Sequence, residues 1–463
     1  MPKREIIKTI NLQVLFDHYK CPEILVDVGL GGQLFPDAGF FRFGEHAICF
    51  GRSTAGYRST DPAGSLYDVD QDVRIEGSVV QLPFEPASAI DNLRLERYVS
   101  HSNGSYMRPI PRETVRAAYY AVRPLLPIAI RRHFQRFSLR GWQNIPFPCW
   151  PVDRSVEEIF ERLLIISMKA QGLSEVPFIW FWPAGAPSCL MMTHDIETAS
   201  GLDFCTKLMD LNDSFGMKAS FQVVPEKRYL VPEGLLRNIR ERGFEICVHD
   251  LNHDGHLYSD RDEFLRRVKQ INQYGRKFGA QGFRAGAMYR NLDWYAALEF
   301  KYDMSVSNVA HLDPQRGGCC TVFPYFVGDI LELPLTTVQD YPLFYILGQN
   351  CLTLWKTQIR LILEKYGLVS FIVHPDYITS ARNQQTYKDL LTYLSQLCTT
   401  EKLWMALPGE INRWWRARGQ MKLISDDGRW RIEGPEAERA RIAYARLENE
   451  QLVYRIENNS VNQ

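Results

Sequence analysis

Short apolar segments alternate with amphipathic helices in the chain from Ser188 onward. Apolar positions three and four residues apart predict helices at Leu235 to Arg242, Arg261 to Lys277 and Leu352 to Tyr366. The apolar segments have the length and composition of buried strands: SCLMMTH, KASFQVV, FEICVH, GFRAG, YDMSVS, ILELPL, LVSFIVH and LWMAL. Strands that alternate with helices predict a parallel sheet, and about seven or eight such units match the size of a (β/α) barrel.

The two flanks of this region have other patterns. The N-terminal flank has mixed α and β character, with a predicted hairpin that turns at Gly44 and Glu45 and a predicted helix from Ser155 to Gln171. The C-terminal flank contains an Asp-Gly turn and a longer alternating run, which predict a small antiparallel β unit. We therefore predict three parts: an N-terminal mixed α+β region at 1–187, an α/β barrel at 188–415 and a C-terminal β-hairpin unit at 416–463.

A helical pattern from Thr114 to Arg136, interrupted by Pro124 and Pro127, continues into a basic stretch with interspersed aromatic residues. The residues of this stretch are Arg131, Arg132, His133, Arg136, Phe137 and Arg140. A membrane surface or a polyanion would suit such a segment. A solvated basic face with its apolar side packed in the protein is the commoner arrangement, and we take it as the expectation.

The composition excludes several classes of protein. The 463 residues are 45% hydrophobic, which is enough for one large core or several domains. Lys plus Arg and Asp plus Glu each total 54, so the net charge is zero and no overall field attracts nucleic acid. The N-terminal residues lack the apolar core of a signal peptide, and no apolar run is long enough for a transmembrane segment. We expect a cytoplasmic protein, and its oligomeric state is left open.

The 10 cysteines show neither C-x-x-C pairs nor the regular spacing of a disulfide framework. Several lie in strand-like runs, where a reduced cysteine acts as a small hydrophobic residue. We therefore expect neither disulfides nor a thiolate zinc site, and the adjacent Cys319 and Cys320 are interpreted as part of a loop.

Polar residues follow four of the predicted strands at the points where they end. The four polar segments are Thr193 to Glu197 (THDIE), His249 to His253 (HDLNH), Arg284, and His374 to Asp376 (HPD). In a parallel barrel the carboxyl ends of the strands meet at one mouth, and catalytic residues lie there. One such coincidence would mean little, but four of them predict a catalytic mouth.

A divalent metal site is predicted at this mouth. His249 and His253 are four residues apart, so a helical turn or a tight loop would allow both rings to face one ion. A carboxylate would complete a set of two histidines and one acid, with open positions for water and substrate. Asp195 and Glu197 alternate along the strand end, so one is free to bind metal while the other takes a proton. His194 and His256 are interpreted as solvated or hydrogen-bonded residues.

With these motifs the chain resembles the polysaccharide deacetylase family, the NodB-homology domains of carbohydrate esterase family 4, over about half of its length. The resemblance implies a distorted (β/α)7-type barrel and one divalent ion, zinc or alternatively Co, Ni, Fe or Mn. It further implies that Asp195 is the general base, that Glu197, His249 and His253 bind the metal, that Arg284 orients the base and that His374 is the general acid.

The chain departs from the family pattern after Arg284, where Gly286 and Ala287 replace the usual proline and aromatic residue. The backbone N–H of Ala287 is a candidate oxyanion donor. In the family an aspartate tunes the acid histidine, and Asp303 and Asp313 are candidates for it here. The T-H-D-x-E form of the first motif and the long flanks resemble a longer subgroup of the family.

The predicted function is metal-dependent hydrolysis of carbon–nitrogen amide bonds, most simply removal of N-acetyl groups from amino sugars in a glycan or a glycan precursor. The partner is then a carbohydrate substrate, with no nucleic acid. Two alternatives stay open. One is a catalytically silent carbohydrate-binding barrel, and the other is a metal phosphohydrolase of the H…HD…D kind, whose metal residues would lie on helices.

Overall fold

The computed structural model describes residues 9–22, 27–56, 59–99 and 128–457. They form two compact units. One lies within residues 1–104, 154–186 and 414–463, and the other lies within residues 105–153 and 187–413. The three-part division of the chain stays a prediction. No helix in the described ranges has both the length and the apolar character that crossing a bilayer requires.

The first unit contains small sheets and short helices. Its strands are β1 Asp27–Leu30, β2 Gly39–Phe43, β3 Ala47–Gly51, β4 Arg74–Glu76, β5 Val79–Leu82, β6 Glu175–Ile179, β16 Lys422–Asp426, β17 Arg429–Glu433, β18 Ile442–Glu448 and β19 Gln451–Ile456. Its helices include α1 Gln13–Tyr19, α2 Pro86–Arg94 and α4 Ser155–Gln171. Strands β2 and β3 form the hairpin predicted around Gly44, which has a φ of 80°.

The C-terminal strands form the two predicted antiparallel pairs. β16 and β17 meet at Asp427 and Gly428, where both residues have positive φ as a tight hairpin turn requires. β18 pairs with β19 on one side and with β6 on the other, so the tail completes a sheet with the segment that precedes the barrel region.

The second unit is built on a nine-stranded sheet. Its strands are β7 Cys189–Ile196, β8 Ser220–Val223, β9 Glu245–His249, β10 Gly282–Arg284, β11 Tyr302–Asp303, β12 Tyr325–Val327, β13 Ile330–Glu332, β14 Leu368–Ile372 and β15 Trp404–Met405. The order across the sheet is β12-β13-β11-β10-β9-β8-β7-β14, and β15 also pairs with β7. Each of the eight predicted apolar runs contains one of these strands; β12, the only antiparallel one among them, was not predicted.

The helices of this unit, except for the first, follow its strands along the chain. They are α3 Ile128–Ser138, α5 Ala199–Ser214, α6 Glu233–Glu241, α7 Arg261–Phe278, α8 Thr353–Leu363 and α9 Ala381–Thr400, with α10 Pro408–Gln420 at the boundary. The three predicted barrel helices correspond to α6, α7 and α8. Asp260 caps α7 by accepting a hydrogen bond from the Glu263 N–H. Residues 114–127 of the predicted N-terminal helix lie outside the described part of the chain.

The sheet is not closed by strand pairing in the described residues, because β13 and β14 share no ladder. Side chains bridge the gap instead. Thr336 and Thr337, which follow β13, donate hydroxyl bonds of 2.7 Å to the carbonyl oxygens of Leu368 and Ser370 on β14. The Ser370 hydroxyl in turn donates to the Pro334 carbonyl oxygen at 2.6 Å. The second unit is therefore an α/β structure with a curled sheet, and side-chain hydrogen bonds link β14 to the segment after β13.

Candidate metal centre and active site

The predicted site residues lie at the carboxyl ends of neighbouring parallel strands. Asp195 is the penultimate residue of β7, and Glu197 immediately follows the strand. His249 ends β9 and Arg284 ends β10, where the two are register partners. His374 follows β14 on the other side of β7. Each side chain therefore leaves the sheet at the same edge, although up to 179 positions separate them in the sequence.

Three side chains form a possible metal-binding group. Glu197, His249 and His253 each offer one ligand atom, and these atoms lie within 4.8 Å of one another. Both imidazoles are buried, while Glu197 is slightly exposed. The two rings are 4.9 Å apart between centroids. Two histidines and one carboxylate leave coordination positions free for water and substrate.

The loop after β9 turns sharply, and this turn brings the second histidine back toward the first. Asp250 has a φ of 57° and His253 a φ of 51°, both in the left-handed region. The N–H of Asp250 donates to the Arg284 carbonyl oxygen at 2.8 Å, which ties the loop to β10. A tight loop, and not a helical turn, therefore brings His249 and His253 together.

A glycine makes room for this loop. A Cβ atom at Gly286 would lie 2.4 Å from Oδ2 of Asp250 and 3.0 Å from the His253 ring. Gly286, one of the two departures from the family pattern, therefore has a packing reason here, since any side chain at that position would displace the histidine loop.

The donor atoms themselves fit a cation. Nδ1 of His249 lies 3.1 Å from the Arg284 carbonyl oxygen, which directs Nε2 toward the site. Nε2 of His249 is buried and has no hydrogen-bond partner, and Nε2 of His253 lies 3.0 Å from Oε1 of Glu197. Leaving a buried polar nitrogen unpaired costs about 1 to 3 kcal/mol, so an unpaired imidazole nitrogen beside a second imidazole and a carboxylate forms a donor set that suits a cation.

The protonation states of His249 and Glu197 favour metal binding. Burial lowers the pKa of His249 to about 4, so this ring is neutral at physiological pH. Burial by itself would raise the pKa of Glu197, but attraction to His253, His374 and His249 holds it well below the usual value. A neutral imidazole and an ionised carboxylate are the forms that bind metal.

Glu197 is held from three directions. Tyr377 donates its hydroxyl to Oε2 of Glu197 at 3.0 Å. The Glu197 N–H donates to Oδ2 of Asp376 at 3.1 Å, and the Arg228 Nε–H donates to the Glu197 carbonyl oxygen at 2.8 Å. Sequence reasoning did not single out Tyr377 or Arg228. The only local signal was that Tyr377 follows the HPD segment.

Asp195 is fixed by an arginine on one oxygen. Arg284 donates from Nη1 to Oδ1 of Asp195 at 2.6 Å and to the Thr193 hydroxyl at 2.7 Å. Oδ2 of Asp195 faces Nε2 of His249 at 3.7 Å and Nε2 of His374 at 4.0 Å. Burial alone would raise the pKa of Asp195, but Arg284 and the two histidines lower it, so the carboxyl group is ionised.

His374 is paired with an aspartate that sequence reasoning missed. Its Nδ1 lies 2.6 Å from Oδ1 of Asp340, and its backbone N–H donates to Oδ2 at 2.8 Å. Burial alone would lower the pKa of His374, but Asp340, with smaller contributions from Glu197 and Asp195, raises it to about 10. The ring is therefore a cation that presents Nε2–H to the site.

The two candidates for this partner, Asp303 and Asp313, were wrong. Asp303 accepts hydrogen bonds from Tyr295 and from the Ser305 N–H, and Asp313 accepts from Ser307 and Gln339. Neither bonds to His374. Asp340 follows no predicted strand directly, which is why the strand-end pattern did not identify it.

His194 has a structural position. Its Nδ1 lies 2.8 Å from the Val373 carbonyl oxygen, and its Nε2 lies 2.8 Å from the Asn212 amide nitrogen. It is buried, and burial lowers its pKa to about 4. Both ring nitrogens are occupied within the core, so His194 has no nitrogen left for a metal ion.

Comparison with models of protein families gives no match, and comparison with curated proteins gives none. Solved structures with similarity include a probable polysaccharide deacetylase from Pseudomonas aeruginosa PAO1, at 15% identity over 51% of this chain and 93% of that chain, with a TM-score of 0.42. The Puue allantoinase has 14% identity over 51% of this chain and 92% of its own, with a TM-score of 0.42. The peptidoglycan deacetylase PdaC from Bacillus subtilis has 12% identity, covers 50% and 93%, and has a TM-score of 0.32.

Proposed function

We propose that this protein is a metal-dependent hydrolase that cleaves the amide bond of N-acetylated amino sugars. The observation that carries the proposal is the pair of opposed proton-transfer groups beside one metal-binding group. Asp195 is held ionised and His374 is held protonated, and their facing atoms are 4.0 Å apart. Neighbouring groups whose pKa values are pushed apart in this way are typical of a base and an acid that act on one substrate.

Glu197, His249 and His253 would hold the divalent cation. A bound cation of this kind polarises an acyl oxygen and lowers the pKa of water, so that a nucleophile is available near neutral pH. Zinc suits a set of two imidazoles and one carboxylate, and Co, Ni, Fe or Mn suit it as well.

Asp195 is the general base in this proposal. Its Oδ1 is occupied by Arg284, so Oδ2 is the oxygen that accepts a proton from the attacking water. The guanidinium keeps the carboxylate charged before the reaction and aimed during it. Thr193 and the Met304 carbonyl oxygen hold Arg284 in turn, at 2.7 and 3.0 Å.

His374 is the general acid. Asp340 occupies Nδ1, so Nε2–H is the donor, and it lies 3.7 Å from Glu197 and 4.0 Å from Asp195. This separation lets the proton reach a leaving nitrogen held at the same site. An amine leaving group needs protonation far more than an activated alcohol does, so a strongly held imidazolium favours amide over ester substrates. The Ala287 N–H remains the candidate oxyanion donor.

The acetamido sugar is the part of the proposal that depends on the motif resemblance. The THDIE, HDLNH, FRAG and HPD segments together resemble the polysaccharide deacetylase motifs. The metal phosphohydrolase alternative is disfavoured because His249 ends a strand and His253 lies in a loop.

The test combines elemental analysis of the purified protein with acetate release from a panel of N-acetylated amino sugars and glycans. We expect one divalent ion per chain and metal-dependent acetate release from at least one member. Asp195→Asn should keep the metal and lose the activity, and His194→Gln, at a buried histidine outside the site, reports any general effect of a histidine loss on folding. Stoichiometric metal without acetate release from any member would favour the silent carbohydrate-binding alternative.

A further inference from the structure

Helix α3 presents an apolar face to solvent. Ile130, Phe134 and Phe137 have 43%, 50% and 68% of their surface exposed. At about 100° per residue these three positions fall within about 60° of one another around the helix axis. Isolated exposed apolar residues are ordinary, but a contiguous stripe with two phenylalanines on one helix marks a surface that meets another apolar phase.

The opposite face of α3 attaches the helix to its own unit. The Arg136 Nε–H donates to the Tyr345 carbonyl oxygen at 2.8 Å, and Tyr341 bonds to the side chain of Gln135. Gln135 and Leu139 are half-buried on this face. The attachment determines which side of the helix points outward, and that side is the one with Phe134 and Phe137. The expectation of a packed apolar side was therefore wrong.

Basic residues are concentrated in the sequence of α3 and of the turn that follows it. Residues 128–141 contain Arg131, Arg132, His133, Arg136 and Arg140 and no Asp or Glu. Because the whole chain has a net charge of zero, this is a local concentration of positive charge. An apolar stripe with basic residues beside it is the pattern of helices that lie in the headgroup region of anionic bilayers.

We infer that α3 docks on an anionic lipid surface, with Ile130, Phe134 and Phe137 inserted between headgroups. A duplex nucleic acid or a sulfated polysaccharide would attract the arginines but would leave the apolar stripe in water. A second copy of the chain is disfavoured because pairing two α3 helices would bring together two segments that are rich in arginine and contain no Asp or Glu. The inference is independent of the proposed reaction.

The attached face of α3 is connected to the candidate site. The ring of Tyr341, which bonds to Gln135, lies 4.8 Å from the ring of Tyr377, and Tyr377 donates to Glu197. Two side chains therefore separate the attached face of α3 from the metal-binding group.

The test is co-sedimentation of the full chain with vesicles, either of phosphatidylcholine alone or of phosphatidylcholine and phosphatidylglycerol in equal parts. We expect binding to the anionic vesicles at about 0.1 M NaCl and weaker binding at about 1 M, where the screening length falls to about 3 Å. The double variant Phe134→Ser/Phe137→Ser should lose binding on the order of a hundredfold, because each buried ring contributes about tenfold or more.

Matched variants separate the apolar and the electrostatic contributions. Leu265→Ser removes an exposed apolar residue from α7 in the same unit and should leave vesicle binding unchanged. Arg140→Gln should weaken binding to anionic vesicles only. These outcomes support the inference. The inference is overturned if the wild-type chain does not bind anionic vesicles. It is also overturned if the wild-type chain binds heparin and the phenylalanine variant binds heparin and vesicles as well as the wild type does. A third contrary result is a wild-type dimer in light scattering that is absent from the phenylalanine variant.

Discussion

Asp340 and His374 are joined by two hydrogen bonds, one from the ring Nδ1 to Oδ1 at 2.6 Å and one from the backbone N–H to Oδ2 at 2.8 Å. The carboxylate therefore fixes the position of the backbone, the orientation of the ring and the site of its proton together. The contacts of this carboxylate are with His374 and the Tyr341 N–H, and none is with Glu197, His249 or His253 in the described part of the chain. In the proposed reaction Asp340 is therefore a positioning residue that acts through His374.

Replacing Asp340 by Asn tests this relationship. The amide keeps the size of the side chain but removes the charge that stabilises the imidazolium. We expect kcat on an amide substrate to fall by about 10² or more, with a small change in KM. Steady-state kinetics with an N-acetylated amino sugar measures the effect. A change in KM alone would instead assign Asp340 to substrate binding.

The proposed role of His374 as general acid predicts different effects on substrates with different leaving groups. His374→Ala should slow hydrolysis of amides strongly, by about 10² to 10⁴. Activated aryl acetates should be affected much less, since their leaving groups depart without a proton. Parallel kinetics on the two substrate types measures this ratio, and an equal loss on both would show that His374 only supports the structure of the site.

Asp195→Asn should retain the bound metal and lose about three or more decades of turnover, because the amide cannot accept the proton of the attacking water. Elemental analysis and kinetics on the same preparation measure both quantities. Near-normal turnover would exclude Asp195 as the base and direct attention to another carboxylate of the site.

The double variant His249→Ala/His253→Ala should lose the metal and remain folded. An open site with three protein ligands contributes less to folding than a closed structural site. Elemental analysis reports the ion, and thermal unfolding reports the fold. Loss of cooperative unfolding in this variant, or in the wild-type protein treated with a chelator, would indicate a structural ion.

The buried pair of Asp303 and Glu332 predicts a pH dependence of stability. They are register partners on β11 and β13, both fully buried, and Oδ2 of Asp303 and Oε2 of Glu332 have no hydrogen-bond partner. Burial, the largest cause, raises the pKa of both carboxyl groups, and for Glu332 repulsion from Asp303 adds to it. The other ionisable groups that act on the pair are Tyr258, Tyr295 and Arg290.

A raised carboxyl pKa means that the folded protein holds a proton which the unfolded chain releases above its ordinary pKa of about 4. This contribution to stability is complete below that pH and is lost as the pH rises through the folded pKa. Glu332→Gln removes one titrating group and keeps the side-chain volume, so the midpoint of urea unfolding should fall less with rising pH than in the wild type. If the midpoint of urea unfolding changes equally with pH in the two proteins, the pair holds no extra proton in the folded state.

The positions of Asp195, His249, Arg284 and His374 follow from the sequence by itself, because each comes at the end of an apolar strand and the carboxyl ends of parallel strands meet at one edge. The alternation of apolar runs and helices contains that information locally. Sequence alone therefore determined the α/β architecture and the group of polar residues at its mouth.

Tertiary structure decided what depends on contacts between distant segments. Asp340 reaches His374 because Thr336 and Thr337 bond to β14 across the open seam of the sheet, and no periodicity in the chain records that pairing. The pattern of α3 likewise specifies an amphipathic helix but not which face is covered. The packing of Gln135 and Arg136 against the segment after β13 leaves Phe134 and Phe137 in solvent, because burial is a property of what lies opposite a face and not of the face itself.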